Sequence, residues 1–150
     1  NTRGLRELQD TEQLNSLLSA LNDRRLALAD DHQKRVPLVV KVAPDLEDEQ
    51  IPEMAEVVVQ NEFDGLIATN TTISRGAVLG MRYADEQGGL SGAPVKEMAD
   101  HVLAQFRACL PAETALIGTG GITHGEDAAE KIQEDEPRGQ RRAVNQITGG

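Results

Sequence analysis

"DGLIATNTT", residues 64–72, sets a short apolar run against a cluster of small hydroxyl and amide side chains. The run "GLIAT" (65–69) reads as a buried strand, because it is short, continuous and bounded by polar residues. Thr69, Asn70, Thr71 and Thr72 then follow where that strand ends. They are short, uncharged donors and acceptors with no proline among them. That chemistry suits a site that fixes a polar ligand without placing a full charge on it.

Two similar runs flank this one. "VPLVVKVA" (36–43) is β-branched and stops at Pro44, and "TALIGTGG" (114–121) ends in glycines. Strands that are continuously apolar, rather than alternating, belong to parallel sheets covered on both faces. Amphipathic helices are predicted between them. Leu14, Leu17, Leu18 and Leu21 fall at i, i+3, i+4 and i+7 and continue weakly to Leu26 and Leu28. "DDHQKR" (30–35) reads as the polar loop that ends this helix. Ile51, Met54, Ala55 and Val58 mark a second helix, with acidic residues at its start and Pro52 confined to its opening turn. Val95, Met98, Ala99, Val102, Leu103 and Phe106 mark a third, with Cys109 closing its apolar face as a small core residue. "THGEDAAEKI" opens a fourth, where Thr123 and Glu126 have the spacing of a capping box.

Helix and strand alternate, which implies a parallel β/α architecture. Three strands are too few to close a sheet. In such folds ligands sit at the C-terminal ends of the strands. Those ends carry Lys41, then Thr69-Asn70-Thr71, then Gly120-Gly121, so the three clusters are expected to converge on one face. Residues 70–94 form a long connection carrying Gly76, Gly80, Gly88, Gly89 and Gly92, a length that is usually functional or mobile. The pattern stops in "EDEPRGQRRAVNQITGG" (134–150). Pro137 and an arginine-rich run interrupt it there, and "AVNQI" is the only weak strand candidate. Residues 1–132 are therefore expected to form the β/α unit, and 133–150 a divergent or disordered tail.

Composition narrows the function classes. The 150 residues carry a formal net charge of −10 and only 2% aromatic residues. Nucleic-acid modules need a basic surface and aromatic platforms, so no nucleic-acid partner is expected. One cysteine forms no internal disulfide, in keeping with a reducing compartment. No apolar run approaches the ~20 residues of a membrane span, and the first residues carry no signal-peptide pattern. "NTRGLRELQD" lacks an initiator methionine and reads as the interior of a longer chain.

Lys41 stands inside a strand that should be apolar. Three readings are open: a lysine reaching solvent from a strand end, a cation that stabilises developing negative charge, or a desolvated Schiff-base lysine. "GGLSG" (88–92) and "GTGG" (118–121) each allow close backbone approach to a phosphate. His32, His101 and His124 read as structural or solvated, and no spacing of His, Cys and Asp suggests a metal site.

Five motifs, "NTRGLRELQ", "VPLVVKVAPDL", "DGLIATNTTISR", "GGLSGAPV" and "IGTGGI...DAAEKI", stand in an order and spacing that resembles the class 2, quinone-dependent dihydroorotate dehydrogenases. The resemblance covers about residues 1–132. It implies a TIM (β/α)8 barrel, of which this chain is roughly the C-terminal half. It implies FMN at the C-terminal face, oxidation of dihydroorotate to orotate in pyrimidine (UMP) synthesis, and transfer of the electrons to a quinone. The full-length protein would then sit peripherally on the inner membrane, through segments absent from this chain.

By the same resemblance, Lys41 is the flavin-contacting lysine, Thr69 a flavin contact, and Gly92 and Gly121 backbone donors around the FMN phosphate. Asn1, Asn70 and Thr71 are substrate-binding residues, and Thr2 stands beside the proton path. The family's catalytic serine precedes the position of Asn1, so this chain alone is expected to be inactive. The family's "Tyr-Ser/Thr-Gly" phosphate contact should follow residue 132, and "RRAVNQITGG" departs from it. Beside this reading stand another FMN oxidoreductase, a Schiff-base aldolase on Lys41, and a non-catalytic fragment that packs against a partner. Borohydride trapping separates the aldolase, and flavin absorbance separates the non-catalytic fragment.

Overall fold

The computed structural model describes residues 10–135. Its elements run α1 (Thr11–His32), β1 (Val39–Val42), α2 (Gln50–Gln60), β2 (Gly65–Ala68), α3 (Lys96–Cys109), β3 (Ala115–Gly118) and α4 (Gly125–Asp135). Short 3-10 turns at Gly76–Val78 and Ala93–Val95 punctuate the connection from β2 to α3. The three strands make one parallel sheet in the order β1-β2-β3, so the β/α alternation expected from the sequence is present.

Pairing runs Val39–Gly65–Ala115, Val40–Leu66–Leu116, Lys41–Ile67–Ile117 and Val42–Ala68–Gly118. Side chains alternate between faces along a strand, so these rows sort onto two sides. Val42, Leu66, Ala68 and Leu116 are buried in the core with Met54 and Val58 of α2 and Leu103 and Phe106 of α3. Gly118 belongs to the same side, since a Cβ there would meet Leu103 Cδ2 at 3.0 Å and Lys131 Cδ at 3.3 Å. Among the described residues, none of the elements covers the opposite side. Val39, Lys41 and Ala115 are exposed there, and Ile67 and Ile117 are half-buried. A parallel sheet is normally covered on both faces, so a sheet covered on one face only is a segment of a closed barrel wall, with this face turned inward.

Several local expectations change. The first helix continues through "DDH" to His32, with Gln33 as its left-handed cap (φ 50°). Its buried stripe is Leu14, Leu18 and Arg25, whereas Leu17 and Leu21 are 38% and 45% exposed. Helix α1 packs on α2 from one side, and one neighbour covers a narrower stripe than the leucine spacing suggests. Cys109 is exposed rather than core. Leu110, where the chain turns extended at the end of α3, fills the place given to Cys109. On α2, Ile51, Met54, Ala55 and Val58 are buried and Pro52 lies in the opening turn, as expected.

Arg25 is buried because Asp64 receives it. The guanidinium lies 3.0 Å from the Asp64 carboxylate, which also takes the Leu38 N–H at 2.7 Å and Arg35 at 2.6 Å. Partial burial pushes the Asp64 carboxyl up. The Leu38 hydrogen bond and the two arginines outweigh that and hold it below the ordinary carboxylate range. This knot ties α1, the entrance to β1 and the entrance to β2 at the N-terminal end of the sheet, the end of a barrel associated with stability.

Candidate functional site

At the other end of the sheet the chain leaves the strands through hydrogen bonds that splice their exits together. The Asn70 N–H donates to Val42 O at 2.7 Å, and the Thr69 N–H donates to Thr119 O at 3.0 Å. The Thr119 N–H returns a bond to Ala68 O at 2.6 Å, and its hydroxyl donates to Thr69 O at 2.6 Å. The Ala68–Thr69 peptide bond is cis. A Cβ on Gly120 would lie 3.7 Å from Thr69 Oγ1. The exits of β1, β2 and β3 are thus joined, as the strand-end residues predict.

The four-residue cluster divides into two jobs. Thr72 is structural: it is buried, its hydroxyl donates to Asp45 Oδ1 at 2.5 Å, and Thr72 Oγ1 itself accepts the Ser74 N–H at 2.9 Å. Its backbone pairs in both directions with Leu90, at 3.0 and 2.7 Å. Thr69 is also buried, with its hydroxyl donating to Asn70 O at 3.0 Å. Asn70 is exposed. Its Oδ1 accepts the Thr71 N–H at 2.9 Å, and among the described residues none accepts from its amide nitrogen. Asn70 therefore presents two donors outward beside half-buried Thr71.

Lys41 is exposed on the sheet face that the described residues leave uncovered, in the row of Ile67 and Ile117. Among the described residues it forms no ion pair, in a chain with 25 acidic residues. The lysine-to-solvent reading accounts for its exposure. Its place on the inward face of a barrel wall accounts for a strand carrying it there.

The glycine turns follow. Gly92 is exposed at φ 78°, ψ −159° and leads through the turn Ala93–Val95 into α3. Gly120 and Gly121 have φ 98° and 73° and precede α4. These are left-handed conformations that glycine adopts without strain. Gly121 is also confined, because a Cβ there would stand 2.4 Å from Lys96 Cβ and 2.8 Å from Lys96 N. Each turn thus sends the chain into a helix start, where backbone N–H groups and the helix dipole favour anions.

The capping residue of α4 differs from the expected Glu126. Because the helix begins at Gly125, the position that reaches back is Asp127. It accepts the Thr123 and His124 N–H groups, both at 2.9 Å, and the Thr123 hydroxyl at 3.0 Å. Those hydrogen bonds, with help from Lys96, pull its pKa down to about 2. Asn1 and Thr2 lie outside the described residues, as does the 136–150 stretch. His101 is an exposed partner of Asp48 at 2.6 Å, and His32 and His124 are exposed, in keeping with the solvated roles expected of them. Among the described residues no cluster of His, Cys, Asp and Glu could hold a metal, and no helix is long and apolar enough to cross a membrane.

Sequence reasoning passed over Asp45, Arg75 and the charged residues between α3 and α4. Arg75 donates to Gly88 O at 2.7 Å and Glu86 O at 3.0 Å, closing the neck of the long connection. Only the Lys96–Asp100 pair, four residues apart on one helix, left a signal that could be read directly.

The dihydroorotate dehydrogenase family model matches residues 1–134. The quinone-type dihydroorotate dehydrogenase of Bordetella pertussis is 52% identical over 132 residues, which is 88% of this chain and 38% of that protein. The one from Delftia acidovorans is 53% identical over 133 residues, again 38% of its length. The dihydroorotate dehydrogenase of Eimeria tenella, crystallised with ferulenol, superposes with a TM-score of 0.82 at 36% identity, covering 89% of this chain and 39% of that one. The chain therefore spans about two fifths of the length of the relatives it matches.

Proposed function

Since the chain belongs to the dihydroorotate dehydrogenase family, we propose that it supplies part of the active-site wall of an FMN-dependent enzyme that oxidises dihydroorotate to orotate with a quinone as acceptor. The observation that carries this reading is exposed Lys41, without an ion-pair partner among the described residues, on the sheet face that those residues leave uncovered, at the end where Asn70 presents its amide donors.

The residues present fit a flavin mononucleotide. Two left-handed glycine turns at Gly92 and Gly121 lead into helix starts suited to the phosphate. When bound, FMN would supply the two-electron redox chemistry between dihydroorotate and the quinone. Lys41 offsets the negative charge that builds on this side of the site. Thr69 keeps the β2 exit closed against β3 and stands as a cofactor contact. Asn70 and Thr71 bind and orient the orotate ring and its carboxylate, and Asn1 adds to them. The base that takes the substrate proton, the quinone route and the membrane surface belong to segments outside this chain.

The test uses the polypeptide that completes the barrel. It should purify with FMN, be bleached anaerobically by dihydroorotate, and reduce a soluble quinone in proportion. A complete barrel that binds no flavin, or whose bound flavin dihydroorotate leaves oxidised, would rule the assignment out.

A further inference from the structure

Lys96 is the first residue of α3 and the fourth after Gly92. The turn between them is closed by the Val95 N–H on Gly92 O at 3.1 Å. The stem of Lys96 lies against the second glycine turn, where Gly121 leaves no space for even a methyl group. Its ammonium then reaches across to α4. It lies 2.6 Å from Glu130, 2.9 Å from Asp100 of its own helix, and 3.9 Å from Asp127. Asp127 in turn holds Thr123 and His124, the residues just beyond Gly121-Ile122. Buried Lys131 of α4 pairs with the other oxygen of Asp100. One connected set of charges therefore joins the helix that follows Gly92 to the helix that follows Gly121.

We propose that Lys96 is a positioning residue: by tying the start of α3 to the start of α4 it fixes the spacing of the Gly92 and Gly121 turns, and through that spacing the affinity for the phosphate end of the flavin. This rests on the flavin reading above. A phosphate shared between two turns needs N–H donors from both at about 2.9 Å, and such bonds weaken steeply as the donors move apart. The side chain of Lys96 is only 25% exposed, so solvent does not simply replace its carboxylate partners. Without its charge, Asp100 keeps Lys131 as its partner, but Glu130 and Asp127 lose their tie to the first residue of α3, the tie nearest the two glycine turns.

The experiment compares FMN with riboflavin, which has the same ring system and no phosphate. The flavin-stripped, barrel-completing protein is titrated with each by fluorescence quenching, for the parent, Lys96→Met and Lys96→Arg. Lys96→Met is expected to raise the FMN Kd by about 10-fold or more and the riboflavin Kd by less than about threefold, with Lys96→Arg restoring most of the difference. Glu130→Gln loosens the same tie from the α4 side, at the carboxylate 2.6 Å from the ammonium. It should shift the FMN-to-riboflavin ratio in the same direction, and it serves where the methionine variant does not fold. Parallel weakening of both flavins, or an unchanged ratio in both variants, overturns the proposal and leaves Lys96 a stability residue. A parent protein that binds neither flavin overturns the cofactor assignment itself, and this inference with it.

Discussion

The Thr72 hydroxyl donates to Asp45 Oδ1 at 2.5 Å, joining the loop after β1 to the loop after β2. Asp45 also receives the Ile73 N–H at 3.3 Å, so one carboxylate organises the turn that follows Asn70 and Thr71. Thr72→Val keeps the shape and removes the donor to Asp45, together with the acceptor of the Ser74 N–H. Hydrogen bonds to charged groups contribute about 1.5–3 kcal/mol, and a loss of that order is expected in urea unfolding of the barrel-completing protein. A loss below about 0.5 kcal/mol would mean that the loop is held without this bond.

Lys41 is expected to affect rate more than affinity. Removing a preorganised cation from developing charge costs roughly 10²–10³-fold, so Lys41→Ala should slow flavin reduction by dihydroorotate by about that factor. Stopped-flow absorbance with FMN still bound measures it, and an unchanged rate would make Lys41 a bystander.

Asn70 is expected to set orotate affinity. A polar group left unpaired in a buried site costs about 1–3 kcal/mol, so Asn70→Ala should weaken orotate binding by roughly 5- to 100-fold with the flavin spectrum near normal. Asn70→Asp should be worse, because a carboxylate beside anionic orotate adds repulsion to the lost donors. If both variants bind orotate as the parent does, the exposed amide is only part of a turn.

Asp127 gives a pH signature. Its folded pKa, about 2, lies below the ordinary 3.8, so the native state favours the carboxylate. That contribution is fully present above the ordinary value, shrinks through the window between the two, and is lost as pH falls through about 2. Carbon-13 NMR titration of the side-chain carboxyl should therefore find a midpoint near the lower value. A midpoint at the ordinary one would mean that Asp127 does not hold Thr123 and His124. Asp127→Asn should remove this part of the acid dependence.

Much of this was readable in the sequence where one short segment contains its own cause. The apolar runs around Val40, Leu66 and Leu116 each announce a buried parallel strand, and the residues at their ends then fall at one end of the sheet. The family motifs were equally local. Partnerships between distant segments were not readable. Arg25 looks like a surface residue until Asp64, 39 positions later, folds against it. Thr72 resembles its neighbours Thr69 and Thr71 until Asp45 claims its hydroxyl. Cys109 and Glu126 failed through small shifts at helix ends, where one residue of register decides which side chain faces in and which one caps.

Among the described strands β2 alone is hydrogen-bonded along both edges, to β1 and to β3. Its Leu66 and Ala68 are fully buried, and the chain at its exit is spliced to both neighbours. Backbone opening follows local cooperative units whose stability varies across a structure. The amides of β2 are therefore the last to exchange with deuterium. Those of β1, which carries Lys41, exchange through smaller openings unless a further strand covers its free edge. Slow exchange spreading outward from β2 as the rest of the barrel is added would trace, amide by amide, the order in which the sheet becomes rigid.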